Sequence, residues 1–157
     1  MDTRKKNLII ISHCIINQNS VVFPLARAKG AFPFIKTLID KGYGIIQLPC
    51  PEFKLLGLSR KPMSKEDYCF EEYRNLCKNL FIPVLNDIKE YIKHGYNIKA
   101  LIGIKDSPTC SLTGNRGIFM EEILNLLKQE NININTFQVS TEYTYKSDFP
   151  KELTHLL

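Results

Sequence analysis

Short runs of β-branched residues alternate along this chain with segments of helical periodicity. The runs are NLIIISH (7–13), YGIIQLP (43–49), IKALIGI (98–104) and INTFQVS (134–140). Because strands that alternate with helices are joined by right-handed crossovers, they form a parallel sheet with helices on both faces. The pattern therefore predicts an α/β fold: a single-domain, Rossmann-like three-layer sandwich over residues 1–157, with a mainly parallel sheet of about four strands.

Start and stop signals delimit the first and last helices. FPFIKTLIDKG (32–42) places Pro33 in the first turn of a helix and Gly42 at its end. IFMEEILNLLKQE (118–130) has the apolar spacing of a helix that follows the third strand.

A longer helical pattern lies between the second and third strands. SKED (64–67) resembles a capping box at its start, and the pattern continues to about His94. Pro83 is expected to kink or split this helix, because proline removes a hydrogen-bond donor and clashes with the preceding turn. The apolar stripe predicted to face the core is Leu76, Leu80, Val84, Ile88 and Ile92.

Composition places the chain among globular proteins, with 44% hydrophobic and 24% charged residues. No apolar run approaches the roughly 20 residues of a membrane span, and the short run after the basic N-terminus does not resemble a signal peptide. The expected setting is therefore the cytoplasm. The net charge of +5 is spread along the chain, and the aromatics are not interleaved with basic residues, which argues against nucleic-acid binding. The oligomeric state is left open.

Three of the five cysteines follow predicted strands, namely Cys14, Cys50 and Cys110. The carboxyl ends of parallel strands meet at one edge of a sheet, where ligands of α/β proteins bind, so these thiols are expected to converge. Thiolates that lie close together repel one another unless a cation is present, which favours a soft-metal site. Their spacings of 36 and 60 residues do not match the short motifs of zinc ribbons or bacterial ferredoxins. An iron–sulfur cluster with one open iron, or zinc, remains compatible with three thiols.

The other two cysteines lie inside the long helical pattern. Cys69 and Cys77 are interleaved with large apolar side chains, and both are expected to fill the core.

Three motifs follow the first three strands: SHC at 12–14, CPE at 50–52 and SPTC at 107–110. In this order they resemble the motifs of the thiouracil desulfidase (TudS-like) family, and the resemblance spans most of the chain. CPE and SPTC are the specific matches. The chain departs from the family after Cys14, where it reads CIINQNSVV instead of Cys-Leu-x-Gly and an Arg–Tyr pair, and after Cys110, where serine stands in place of glycine.

The resemblance implies a divergent desulfidase with a [4Fe-4S] cluster held by Cys14, Cys50 and Cys110. The open iron would accept sulfur from a small thiocarbonyl compound, a thiolated nucleobase such as thiouracil. Glu52 and Ser107 match the acid/base residues proposed for the family. Such a pair can transfer the proton while a C–S bond is exchanged for a C–O bond.

Each of the remaining candidate residues also has a structural interpretation. Glu52 could cap the helical turn that follows it, and Ser107 could form a turn before Pro108. Arg60 and Arg116 are candidate substrate-binding residues or solvated loop cations. His13 is expected to face away from Cys14 and to have a structural role.

Two other function classes use the same three cysteines. One is a non-catalytic protein that binds zinc or a cluster, and the other is a sulfur-transfer protein in which a single cysteine carries a persulfide. A Rossmann-type nucleotide binder is disfavoured, because no GxGxxG sequence follows the first strand.

Overall fold

One parallel sheet forms the centre of the protein. The computed structural model describes residues 1–157. Its strands are β1 (Asn7–Ile11), β2 (Gly44–Gln47), β3 (Asn97–Ile104) and β4 (Thr136–Val139). They pair in the order β2–β1–β3–β4, and every pair is parallel. The predicted α/β sandwich with a four-stranded parallel sheet is confirmed.

The apolar runs that predicted the strands also explain the layers. Ile9, Ile10 and Ile11 of β1 are fully buried, as expected for a strand covered on both faces. Residues on one face of the sheet belong to a different apolar cluster from those on the other, because successive side chains of a strand point to opposite faces. The sheet is therefore the middle layer of three.

Helices cover both faces. They are α1 (Phe34–Asp40), α2 (Pro51–Leu56), α3 (Lys65–Tyr68), α4 (Glu71–Lys93) and α5 (Ile118–Gln129). Helices α4 and α5 pack together on one face of the sheet. On the other face lie α1 and a short 3-10 helix, Lys151–Leu156, near the end of the chain. No helix combines the length and apolarity needed to cross a membrane.

The helical pattern between β2 and β3 differs from its prediction in two ways. The capping box at Ser64 and Asp67 is confirmed, but the break falls between Tyr68 and Glu71, at the end of the capped turn. Pro83 neither ends nor splits α4, which continues for 23 residues. The proline ring is exposed to solvent, so it displaces no core side chain.

The predicted apolar stripe of α4 is confirmed at Ile88, but the other buried positions are displaced by one residue from the prediction. Leu76, Leu80 and Val84 are only half-buried, and Ile92 is exposed. Aromatic side chains lie at the centre of the buried face because they bury more apolar area than the leucines beside them. The buried residues of α4 are Tyr73, Cys77, Phe81, Leu85 and Ile88.

A further helix, α2, lies between β2 and the capping box at Ser64. Helix α2 begins directly after Cys50, with Pro51 at its first position, where the missing N–H of proline costs no hydrogen bond. This helix places Glu52 in its first turn, next to the thiol.

Candidate functional site

Cys14, Cys50 and Cys110 lie at the carboxyl edge of the sheet. Cys14 belongs to a 3-10 turn, His13–Ile15, that follows β1, and Cys50 precedes α2 after β2. Cys110 lies in the turn that follows β3. Since β1 lies between β2 and β3, the thiols come from three neighbouring strands.

The thiols influence one another electrostatically. The pKa of Cys14 is raised to about 12, chiefly by burial and then by Cys50, because two nearby thiolates would repel. Burial also raises the pKa of Cys110 well above its ordinary value, and Cys14 and Cys50 add to the rise. The side chain of Ser12, whose hydroxyl donates to the Ile102 carbonyl at 3.3 Å, opposes this rise. In the absence of a cation, these groups are therefore neutral thiols at pH 7.

Cys50 has a second role as the N-cap of α2. Its sulfur accepts a hydrogen bond from the backbone N–H of Phe53 at 3.5 Å. Burial raises the pKa of the thiol and this hydrogen bond opposes the rise, because the N–H stabilises the thiolate. The N-terminus of a helix also favours negative charge. The helix thus supports the ionised form that binds metals.

Thiolates are soft ligands, so Cys14, Cys50 and Cys110 have the donor chemistry of an iron–sulfur cluster or another soft metal. No three His, Cys, Asp or Glu side chains lie close enough together to hold one ion. In a [4Fe-4S] cluster each thiolate binds a different iron, so its ligands lie further apart than those of a single tetrahedral ion. The three thiols are partly buried; Cys50 raises the pKa of Cys14, and both raise the pKa of Cys110, which is compatible with this wider arrangement.

The loop that carries Cys110 folds back onto β3. The Ser107 hydroxyl accepts hydrogen bonds from the N–H groups of Thr109 and Cys110, at 3.2 and 3.0 Å. Gly103 is required because a Cβ there would lie 2.2 Å from the Cys110 carbonyl oxygen. Gly117 is required for the same reason, since its Cβ would lie 2.2 Å from the Thr109 carbonyl carbon. Ser107 therefore forms the turn, as its structural interpretation predicted.

Glu52 lies beside the thiols, and a single oxygen of its carboxylate makes the contacts within the protein. Oε1 accepts hydrogen bonds from Tyr68 Oη at 3.2 Å and from Arg60 Nε at 3.4 Å. Oε2 makes no hydrogen bond in the structure and remains free for a ligand or water. The pKa of Tyr68 is raised, mainly by burial and secondly by the negative charge of Glu52. A raised pKa is consistent with a neutral hydroxyl that donates to the carboxylate.

The two candidate arginines differ in their surroundings. Arg60 is buried, pairs with Glu52 and donates to the carbonyls of Gly57 and Ser20 at 2.9 and 2.7 Å. It therefore orients the carboxylate. Arg116 is exposed, and its only hydrogen bond is from Nε to the Leu112 carbonyl at 3.3 Å.

The histidine and the two remaining cysteines are outside the group of thiols. His13 Nδ1 lies 3.0 Å from the Leu48 carbonyl, which agrees with its expected structural role. Cys77 is buried in the core, as predicted. The prediction for Cys69 was wrong, because this thiol is exposed where α3 ends, 3.8 Å from Arg74 Nη2.

Arg27 and Tyr68 are site residues that were not predicted from the sequence. Arg27 lies near enough to Cys14 to lower the pKa of its thiol, but it belongs to a segment without regular secondary structure and matches no motif. Tyr68 was indistinguishable from other aromatics in an apolar pattern. Its place directly after the capping box is the one signal that could have suggested a fixed position.

Comparisons with known proteins extend over nearly the whole chain. Over 153 residues the chain is 43% identical to a protein of Methanocaldococcus jannaschii described as Uncharacterized protein MJ0003, and the alignment covers 97% of each protein. No family model matches the chain. No solved structure matches it either. The identity and the coverage show that this chain belongs to the same family as the M. jannaschii protein.

Proposed function

We propose that this protein is an iron–sulfur-dependent desulfidase that removes sulfur from a small thiocarbonyl compound, such as a thiolated nucleobase. The observation that carries the proposal is the convergence of three thiols at one sheet edge, with the free oxygen of Glu52 beside them. The expected setting is the cytoplasm, where thiols remain reduced.

The reaction requires no net oxidation or reduction. Water supplies the oxygen that replaces sulfur on the carbon, the C–S bond breaks, and sulfur leaves as hydrogen sulfide. When bound, a [4Fe-4S] cluster would supply an open iron that acts as a Lewis acid toward the soft sulfur. Cys14, Cys50 and Cys110 would hold it.

Glu52 is the group best placed to move the proton. Its Oε1 is fixed by Arg60 and Tyr68, so Oε2 has one defined position from which to accept a proton from water. The N–H groups of Thr109 and Cys110 occupy acceptor positions of the Ser107 oxygen but leave its proton free. Ser107 can therefore donate a hydrogen bond to the substrate while it maintains the turn.

The test begins with anaerobic reconstitution of the full chain with iron and sulfide. We expect about four irons per chain, in keeping with one [4Fe-4S] cluster, and conversion of 2-thiouracil to uracil and sulfide. Cys14→Ser, Cys50→Ser and Cys110→Ser should each lose iron and activity. Cys69→Ser is the matched control, because this exposed thiol lies outside the site. If all three site variants keep their iron, the ligand assignment is wrong.

A non-catalytic zinc- or cluster-binding protein is the second candidate. It is favoured by the internal roles of Ser107 and Arg60, which a structural site would also require. Glu52→Gln separates the two candidates, because amide and carboxylate have nearly the same shape. In a desulfidase this variant should keep iron and lose turnover. In a binding protein neither form should turn over the substrate, and the substitution should leave the iron content unchanged.

A further inference from the structure

Arg27 is fixed at the carboxyl edge of the sheet by hydrogen bonds of both its backbone and its side chain. Its backbone N–H donates to Gln18 Oε1 at 2.8 Å, and Gln18 Nε2 donates to the Cys14 carbonyl at 2.9 Å. The guanidinium Nη1 donates to the carbonyls of Ser140 and Tyr143. Ser140 directly follows β4, so Arg27 extends the row of site residues from Cys14 to the last strand of the sheet.

The positive charge of Arg27 has no carboxylate partner. The other arginines that are at least partly buried, Arg60 and Arg74, pair with Glu52 and with Glu121 and Glu122. Arg27 is half-buried, forms no ion pair, and its Nε and Nη2 make no hydrogen bond within the protein. Two carbonyls satisfy Nη1, and the remaining donors of the guanidinium are available to an anionic partner from outside the chain.

The direction of the side chain restricts where that partner lies. The guanidinium carbon lies 5.3 Å from the centre of the Phe32 ring, which covers one side of the group. Burial lowers the pKa of the guanidinium, and the Cys14 thiol raises it. Gln18, which bonds to both the Arg27 backbone N–H and the Cys14 carbonyl, places Arg27 next to the segment that carries Cys14.

We propose that Arg27 binds a carboxylate of the substrate, so that the site prefers thiocarbonyl compounds that carry an anionic group. This inference rests on the desulfidase function proposed above. A guanidinium matches a carboxylate with two parallel hydrogen bonds, and Arg27 has Nε and Nη2 free on one side for this geometry. Glu52 follows β2 and Arg27 reaches β4, so the two groups lie on opposite sides of the thiols.

Two pairs of compounds test what the carboxylate of the ligand alone contributes to binding and to turnover. Uracil and orotate differ by one carboxylate, and neither contains sulfur, so both report binding without turnover. Their sulfur analogues, 2-thiouracil and 2-thioorotate, report desulfuration. Binding is measured by isothermal titration calorimetry on the full chain, with and without reconstitution.

The wild-type protein should bind orotate about tenfold to hundredfold more tightly than uracil, because hydrogen bonds to charged groups contribute about 1.5–3 kcal/mol. Arg27→Gln should remove the preference, and Arg27→Lys should keep part of it. Lys29→Gln is the matched control. It also removes one positive charge, but from an exposed side chain that lies two residues after Arg27. The ratio of the two affinities is insensitive to a general loss of stability, which would affect both ligands equally.

The outcomes separate this inference from the proposed function. If Arg27→Gln binds orotate as the wild-type protein does, or if the wild-type protein does not prefer orotate, the inference is wrong. It is also wrong if the substitution only lowers iron uptake, since Arg27 would then balance the charge of the thiolates. Desulfuration of both sulfur compounds at equal rates by wild type and Arg27→Gln would retain the function and overturn the inference. An orotate preference that depends on Arg27, in a protein that desulfurates neither sulfur compound, would support the inference and overturn the proposed function.

Discussion

Glu52 is held in place by two residues that follow it in the chain. Arg60 and Tyr68 both bond to Oε1, and the Arg60 side chain is only 3% exposed. Tyr68 also packs against Tyr73, with ring centres 4.6 Å apart, and Tyr73 Oη lies 2.7 Å from Thr109 Oγ1. These contacts connect the segment that carries Glu52 to the loop that carries Cys110. The position of the carboxylate therefore depends on packing outside the CPE motif.

Replacement of Arg60 should destabilise the protein strongly. We expect Arg60→Met to lower the free energy of unfolding by about 3 kcal/mol, because it leaves Glu52 without its charge partner and two carbonyls without a donor. Arg116→Met is the matched control. Since Arg116 is exposed, its loss should change stability by no more than about 0.5 kcal/mol. Urea denaturation of both variants measures the difference, and equal effects would contradict an internal role for Arg60.

Only some of the site could be predicted residue by residue from the sequence. Cys14, Cys50 and Cys110 were predicted to converge because each follows a strand, and their placement needs only the rule that parallel strands end at one edge. Arg27 could not be found in this way, because its segment has no periodicity and reaches Ser140 through tertiary contacts. Cys69 was misassigned because the helix break that exposes it was predicted at Pro83.

At the scale of the elements, α4 is the clearest case in which tertiary packing overrides local preference. Pro83 has no N–H to donate to the Asn79 carbonyl, yet the helix continues on both sides of it. The buried residues Phe81 and Leu85 lie on either side of the proline and hold the helix against the sheet. Their burial outweighs the cost of the missing hydrogen bond. The break was predicted from propensity alone, which does not contain this contribution.

Removal of this proline should therefore stabilise the protein. Pro83→Ala restores a backbone donor in the interior of a helix, where proline costs about 3 kcal/mol relative to alanine. We expect a gain of about 1–3 kcal/mol in the free energy of unfolding, measured by urea denaturation. Ile82→Ala is the control, because this exposed neighbour keeps its backbone N–H and loses little buried area. A loss of stability in Pro83→Ala would mean that α4 depends on the geometry imposed by the proline.

At the scale of the whole molecule, strand order determines which site residues are neighbours. The order β2–β1–β3–β4 places Cys50, Cys14 and Cys110 side by side, although 36 and 60 residues separate them along the chain. The alternation of strands and helices predicted a parallel sheet but not this order, because several orders satisfy the same crossover rule. The sequence therefore predicted that the three cysteines lie at the carboxyl edge of the sheet. Which of them are neighbours along that edge follows only from the strand order in the structure.

The same arrangement gives the cysteines different environments, which alkylation can measure. In iron-free protein at pH 8, iodoacetamide should modify Cys69 first, because that thiol is exposed. Cys14, whose pKa burial raises to about 12, is ionised at this pH to about one part in ten thousand, and only the thiolate reacts. Cys77 should react more slowly than Cys14, because it is buried in the core whereas Cys14 is partly exposed, and its pKa is also raised to about 12, chiefly by burial.

Peptide mass spectrometry over time gives a rate for each cysteine. An increase from pH 8 to pH 10 should speed modification of Cys14 about a hundredfold, because its thiolate fraction rises tenfold with each pH unit below its pKa. In denaturing urea the differences should disappear, since burial is their main cause. Reconstitution with iron and sulfide should protect Cys14, Cys50 and Cys110 and leave Cys69 reactive. If Cys14 reacts as fast as Cys69 in folded, iron-free protein at pH 8, the thiols are not buried together at the edge of the sheet.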